Sequence, residues 1–478
     1  MAEYEAVIGL ETHIQLNTTT KIFCGCKADS WGDPPNTNIC PVCSGLPGVL
    51  PVMNRAVVEK AVLLAKAMNS EIQTDSYFDR KNYFYPDLPK GYQITQNDQP
   101  IALGGYMELP LKDGSVRRVG ITKLHMEEDA GKTKHEYGRR LVDFNRCGVP
   151  LVEMVTGPDL RSADEVADYL VRLRQLLRWL NISEADMEKG HLRADGNVSI
   201  RLKGETILNE KTEIKNVNSI ESLRAAVEQE IARQIREVEA GNTIKAWTLD
   251  WDEDTQTLSK MRSKETMADY RYFKEPDLLV VHLDEEWKAE ILADYPELPL
   301  ARRERFIAEY ELPEYDADIL TSERSLSDYF ETANKAYGGD PKRLSNWLMN
   351  DVMRLLNDQG IEAKELRLTP DYLAEIIKLV DVNTVNTSTG KSLLEKVQES
   401  GKSPAEIVEA EGLAQVSDTD AIKEIAEKIV ADNPDNVEKY RGGKDSLIGW
   451  FVGQVMRESR GKADPNAARE VLKELLER

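Results

Sequence analysis

The sequence predicts an α+β body followed by all-helical segments, and three observations predict it. Up to about residue 290, stretches that alternate apolar and polar residues are interleaved with two long helical patterns, and Gly, Pro and Asn mark frequent turns. After Pro296 the alternation gives way to 3.6-residue periodicity in RERFIAEYEL, RLSNWLMNDVMRLLNDQG and DYLAEIIKLV, joined by short polar connections. A polar break over residues 399–404 then precedes a last helical stretch that turns basic toward its end. We therefore expect three parts, residues 1–293, 294–405 and 406–478. At 478 residues, 41% of them hydrophobic, the chain is long enough for a buried core in each.

In chain order, the first element is a strand over residues 7–17 that separates by parity: Ile8, Leu10, Ile14 and Leu16 on one face, Glu11, His13 and Gln15 on the other. A strand over residues 119–127 repeats the device, with His125 and Glu127 on one side. A helix then opens at Ser162, in capping-box spacing with Glu165. Its apolar stripe (Val166, Tyr169, Leu170, Leu173, Leu176, Leu177, Leu180) is core and ends near Asn181. In the strand over residues 192–202, Ala194, Val198, Ile200 and Leu202 oppose Asp195, Asn197, Ser199 and Arg201. A second helix runs from about Ser219 to Gly241, a residue type that closes helices by adopting positive φ.

The formal net charge of −22 at pH 7 argues against general affinity for a phosphate backbone, which Lys and Arg supply. The charge is unevenly spread. Over residues 439–473, Lys439, Arg441, Lys444, Arg457, Arg460, Lys462, Arg469 and Lys473 stand against Asp445, Glu458, Asp464 and Glu470, a local excess of four positive charges. Such a stretch could hold an RNA ligand, but composition alone favours a mixed-charge solvated surface. No window approaches the roughly 18 uncharged apolar residues of a membrane helix, and the first residues are acidic where a secretory signal would be basic. A cytoplasmic location is expected.

Four of the five cysteines form Cys24-x-Cys26, thirteen intervening residues, and Cys40-Pro-Val-Cys43. Two close thiol pairs joined by a short loop suit tetrahedral Zn²⁺, and four thiolates would close the coordination shell, so the ion would staple a loop and not catalyse. Free or redox-active thiols are the alternative. Cys147 is left over as a small core residue.

Histidine is scarce, five in all, yet His13 and His125 each stand two positions from a Glu on a strand. A single such strand is what the solvated face of an antiparallel sheet looks like. If these faces converge, crowded carboxylates need cations, and oxygen-rich sites suit Mg²⁺, which bridges carboxylates to nucleotide phosphates. The run Asp129-Ala130-Gly131-Lys132-Thr133 is not a P-loop, because Met126 stands where that motif needs its first Gly. A third region, residues 79–87 with Lys90, Gly91, Tyr92 and Gln93, mixes cations, amides and Tyr hydroxyls. It suits an anion or a stacked base, and equally an irregular surface loop.

Together VIGLETHIQL, CGCK with NICPVC, FDRKNYFYPDLPKGYQI, LHMEEDAGK, ADMEKGHLRAD, DYRYF and the tail GWFVGQVMRESRGKADP resemble the B-subunit family of the tRNA-dependent amidotransferases across nearly the whole chain. The resemblance implies a glutamine-synthetase-like cradle domain, a helical middle domain and a tail that holds tRNA. It implies ATP-dependent phosphorylation of the side-chain carboxylate of Glu-tRNA(Gln) or Asp-tRNA(Asn), then amidation by ammonia. The chain has neither a Ser-Lys amidase motif nor a catalytic Cys outside the thiol set. The resemblance therefore implies a heterotrimer, in which a glutamine-hydrolysing amidase, the A subunit, supplies ammonia and a small C subunit tethers the pair.

On the matching motifs, Glu11, His13, Glu127, Glu128 and Asp195 fall at the family's metal and ammonia-channel positions, with Glu11, His13, Glu127 and Glu128 expected to hold Mg²⁺ and Glu153 a further candidate. Lys81, Tyr83, Lys90 and Tyr92 are expected to contact ATP or the acceptor end. Two departures are visible: Lys274 replaces a Pro frequent after DYRYF, and Ala194 replaces a Cys common before Asp195. A ligase of free amino acids and a zinc-stapled RNA-binding adaptor are the rival readings.

Overall fold

The computed structural model describes residues 3–136, 138–263, 267–414, 419–459, 463 and 465–477. The chain forms two compact units, Met1–Leu298 and Pro299–Arg478. The first is built on a ten-stranded sheet, in the order Thr257–Ser263, Trp247–Asp252, Thr212–Lys215, Leu192–Leu202, Tyr4–Gln15, Pro150–Thr156, Val116–Glu128, Ala102–Leu103 and Glu71–Ile72, with Tyr106–Pro110 also beside Val116–Glu128. Its pairs are antiparallel except Thr212–Lys215 with Trp247–Asp252.

One face of this sheet is apolar and carries the core. Ile8, Leu10 and Ile14 of the first strand pack with Leu124, Met126, Val152, Met154, Ala194 and Val198 of its neighbours, and three helices close over them: Arg55–Ala67, Ala163–Trp179 and Ile220–Glu239. Each fully buried aliphatic side chain stabilises the fold by ~1.5–3 kcal/mol relative to exposure. Both helices expected from the sequence are present. Ser162 accepts from Glu165 N at 3.1 Å and Ser219 from Ser222 N at 3.0 Å, and Asn181 (φ 51°) and Gly241 (φ 81°) lie just past their ends.

The opposite face is polar, but it is not the solvated surface that a single strand suggested: His125, Glu127 and Glu153 are buried. The Leu192–Leu202 strand also departs from strict parity. Ser199 is buried, donating to the carbonyls of Asn209 and Glu210 (3.2 and 3.1 Å), whereas Leu202 at the strand end is exposed. Residues 79–87 do not form an irregular loop throughout: Asp79–Asn82 pairs with Tyr92–Thr95 on one side and Phe273–Lys274 on the other, leaving Phe84 and Tyr85 exposed at the turn.

The second unit is helical from Pro299–Tyr310 to Pro465–Glu477. It holds two separate apolar clusters, one spanning Phe306 to Val408 and one spanning Ile422 to Leu476. The expected break near residue 405 falls inside a helix, Pro404–Glu411, whose Ile407 and Val408 pack into the earlier cluster. The polar residues there do a different job: Ser403 and Glu406 form the capping box that starts this helix. Of the tail cations, Lys439, Arg441, Lys444, Arg457, Arg469 and Lys473 are exposed, and Arg460 and Lys462, with Asp464, lie outside the described residues. Among the described residues no helix is long and apolar enough to cross a membrane.

Candidate functional site

Sheet register builds the site. On the polar face His125 stands opposite Glu153, Glu153 opposite His13, and His13 opposite Arg193, a row across four strands. The adjacent row runs Lys123, Val155, Glu11, Asp195. Side chains on one face of neighbouring antiparallel strands are contact neighbours, so residues far apart in sequence meet. His13 Nε2 lies 3.5 Å from Glu153, 3.8 Å from Glu127 and 4.0 Å from Glu11. His125 Nε2 lies 3.4 Å from Glu153 and 3.7 Å from Glu127, and Thr95 Oγ1 donates to Glu127 at 3.1 Å. Above this cluster opens a cleft of ≈ 400 Å³, lined by Glu11, His13, His125 and Glu153 together with Lys81, Lys123, Glu213 and Lys215.

The electrostatics follow from burial and pairing. Burial alone would favour neutral imidazoles, but Glu153 and Glu127 outweigh it, raising His13 and holding His125 at about 9. Burial likewise opposes ionisation of Glu153 and Glu127, and the two imidazoles overcome it, keeping both carboxyls below the ordinary range. Glu11 goes the other way, pushed up by burial and by Glu153. Asp195 is paired to Lys215 at 2.6 Å, and Lys215 also reaches Glu213 at 3.7 Å.

The structure brings together Glu11, His13, Glu127 and Asp195. Two sets of donor atoms, His13–Glu127–Glu153 and Glu11–His13–Asp195, each lie within 4.8 Å of one another. Glu128 does not join them. Neighbouring residues on a strand point to opposite faces, and Glu128 instead pairs with Lys90 and accepts from Ile94 N at 2.9 Å. The nucleotide candidates split likewise. Lys81 lines the acidic cleft, resting 4.9 Å from the Tyr270 ring and 6.0 Å from that of Tyr83. Lys90 and Tyr92 line a second pocket of ≈ 250 Å³ with Glu128, Cys43 and the turn from Gly45 to Gly48. Tyr83 is held by Gln93 at 3.4 Å, its hydroxyl pushed up by burial and by Glu127.

Glu153 proves more central than the sequence suggested, since it touches both imidazoles; its signal was a lone carboxylate in the otherwise apolar PLVEMV. Lys123, Glu213, Lys215 and Tyr272 were not anticipated.

The four thiols of Cys24, Cys26, Cys40 and Cys43 also lie within 4.8 Å of one another. Tetrahedral zinc places its sulfurs ~3.8 Å apart at ~2.3 Å bonds, so this cluster can bind one such ion with little movement. Cys43 is held at about 4, chiefly by the Cys24 thiol donating to it and also by Lys21, while burial pushes Cys26 up to about 11. Lys21 is fully buried, donating to Asn38 O at 2.9 Å and approaching Cys43 Sγ at 3.6 Å. Cys147 is buried away from the four, as expected.

A family model described as "GatB/GatE catalytic domain" matches residues 6–289, the part that contains both clusters, and one described as "GatB domain" matches residues 328–476. The B subunit of the aspartyl/glutamyl-tRNA(Asn/Gln) amidotransferase of Carboxydothermus hydrogenoformans is 48% identical, covering 100% of this chain and 99% of the relative. The protein of the same name from Thermodesulfovibrio yellowstonii is 49% identical over 99% of each chain, and that from Clostridium tetani 46% identical over 99% and 98%. The chain belongs to the amidotransferase B-subunit family. Membership makes it an enzyme component, and the residues that line the acidic cleft lie within the span matched by the GatB/GatE catalytic domain.

Proposed function

We propose that this chain activates the side-chain carboxylate of Glu-tRNA(Gln), Asp-tRNA(Asn) or both with ATP, and amidates it with ammonia that a partner amidase releases from glutamine. A small third protein makes the complex a heterotrimer. A carboxylate oxygen attacks the γ-phosphorus, the bond from that phosphorus to ADP breaks, and ADP leaves. Ammonia then attacks the acyl carbon and loses a proton to a nearby base; the carbon–oxygen bond breaks and phosphate departs. The product is Gln-tRNA(Gln) or Asn-tRNA(Asn).

The observation that supports this most is the meeting of Glu11, His13 and Glu153 in one cleft, with Glu127 and Asp195 in the donor-atom groups that share His13 with them. Their carboxylate oxygens suit Mg²⁺, which when bound would offset charge on ATP phosphates and substrate carboxylate. Glu153 and Glu127 hold the imidazoles of His13 and His125 in place, and the buried Glu127 takes a fixed direction from Thr95. Lys81 at the cleft, with Tyr83 beside it, would meet nucleotide or acceptor end there, and Lys90 and Tyr92 would do so from the second pocket. Zn²⁺ on the four thiols would hold the loop beside that pocket. In this reading Met1–Leu298 is a glutamine-synthetase-like cradle, the helical part from Pro299 to residue 414 a middle domain and the helices from Thr419 onward the tRNA-binding tail, in the cytoplasm.

The test is ATP hydrolysis by the reconstituted complex, with mischarged Glu-tRNA(Gln), uncharged tRNA or free glutamate added in turn. Stimulation by the mischarged tRNA alone is expected. Stimulation by free glutamate would make the chain an amino-acid ligase, and no stimulation by any of the three, nor by Asp-tRNA(Asn), would leave an RNA-binding adaptor.

A further inference from the structure

Three lysines line the acidic cleft, and the protein itself neutralises or seats two of them. Lys215 is paired with Asp195 and Glu213. Lys81 rests against the rings of Tyr270 and Tyr83. Lys123 has neither: among the described residues no carboxylate lies within ion-pair distance of it and no aromatic ring is beneath it. It is half-buried in the wall of the cleft, so its charge is left for an anionic ligand that the cleft admits.

Its position is specific. Lys123 stands two residues before His125 and four before Glu127 on one strand, so the three side chains leave the same face. Across the sheet its row continues through Val155 to Glu11 and Asp195. Val155 is short and uncharged, so the cation faces the carboxylates across an apolar step without collapsing onto them. A triphosphate entering this cleft meets Glu11, Glu153 and Glu213, which repel it; a cation reserved for the ligand offsets that repulsion. An ammonium is a compact point charge that suits phosphoryl oxygens.

We propose that Lys123 binds the phosphoryl group in transfer, contacting the γ-phosphate of ATP and then the phosphate carried by the substrate carboxylate. This rests on the ATP-dependent activation proposed above. The lysine side chain stabilises charge that spreads over the equatorial oxygens as the bond to ADP breaks.

The experiment uses the full chain in complex with its amidase and small subunits, with ATP, glutamine and Glu-tRNA(Gln), and compares wild type with Lys123→Met and Lys123→Arg. Loss of one such electrostatic contact should lower kcat/KM for ATP cleavage by roughly 10²-fold in Lys123→Met, with Lys123→Arg recovering most of it. Inhibition by ADP, which lacks the γ-phosphate, and binding of tRNA should stay within about twofold of wild type in both variants. Cleavage by Lys123→Met within about threefold of wild type would overturn the role, as would parallel loss of ADP inhibition and tRNA binding, the signature of structural damage. A wild-type complex that cleaves ATP with neither Glu-tRNA(Gln) nor Asp-tRNA(Asn) fails differently: it overturns the parent activity and this role together.

Discussion

Glu153 bridges two imidazoles, 3.5 Å from His13 and 3.4 Å from His125, so the polar face carries an internal salt cluster whose stability depends on pH. His125 is raised from 6.5 to about 9, so its contribution is complete below 6.5 and is lost as pH rises through about 9. Glu153 and Glu127 are lowered from 4.5, so theirs is complete above 4.5 and is lost on acidification. The cluster therefore stabilises most between 4.5 and 6.5. In the presence of a chelator, the urea midpoint of the chain should fall as pH is raised from 6.5 toward 9, and His125→Gln should flatten that fall; equal slopes would exclude the imidazole as its source. A second test concerns Glu127, which is buried and takes a hydrogen bond from Thr95 that an amide oxygen also accepts. Glu127→Gln should leave tRNA affinity within a few-fold of wild type while abolishing ATP-dependent activation, and unchanged amidation would remove this residue from the site. Parity along single strands makes Glu11, His13, His125 and Glu127 legible in the sequence, and the same parity argues against grouping Glu128 with Glu127. Parity does not supply the partner strand, so the central position of Glu153 between the two imidazoles, and Lys123 and Lys215 altogether, emerge only from the register.

At the scale of elements, helices announce themselves through caps and stripes, while short polar strands do not. Asp79–Asn82 pairs on both sides although its residues are Asp, Arg, Lys and Asn, because backbone bonding and the Arg80 to Glu275 pair (2.7 Å) hold it without an apolar period. The thiol cluster is legible from spacing alone, but its attachment is not. Ile22 N bonds Gly148 O at 3.0 Å, and Gly148 N bonds Asp129 O at 2.9 Å, so the loop bearing Cys24 is tied to the end of the strand bearing Glu127. Gly148 sits at φ 79°, a backbone conformation that side-chain-bearing residues rarely adopt, which is why the chain turns there on glycine. Stripping metal with a chelator, or replacing Cys40 and Cys43 by Ser, should therefore raise hydrogen exchange in residues 21–54 first and at 128–131 and 147–149 next, leaving the helix Ala163–Trp179 protected. Uniform protection in metal-free and metal-loaded protein would refute a stapling role.

For the whole molecule the question is how a chain of net charge −22 could hold tRNA. Affinity for RNA scales with the phosphates that local cations neutralise, and distant carboxylates are screened beyond about 10 Å at 0.1 M salt. Lys439, Arg441, Arg457, Arg469 and Lys473 on helices, and Lys444 in a turn between two of them, are exposed around the apolar cluster from Ile422 to Leu476. If they make the proposed contacts, a chain ending at residue 414 should bind tRNA more weakly and with a shallower salt dependence than the full chain, while keeping the acidic cleft. The cut must fall there and not at 405, because Ile407 and Val408 belong to the earlier helical cluster, and losing two buried aliphatics costs about 2–5 kcal/mol each. A chain ending at 405 should thus also unfold its remaining helices at lower denaturant than one ending at 414. Filter binding over a salt series and denaturant melts of both truncations separate the effects: equal tRNA affinity and salt slope in the full chain and the 414 truncation would remove the tail from RNA binding, whatever the melts show.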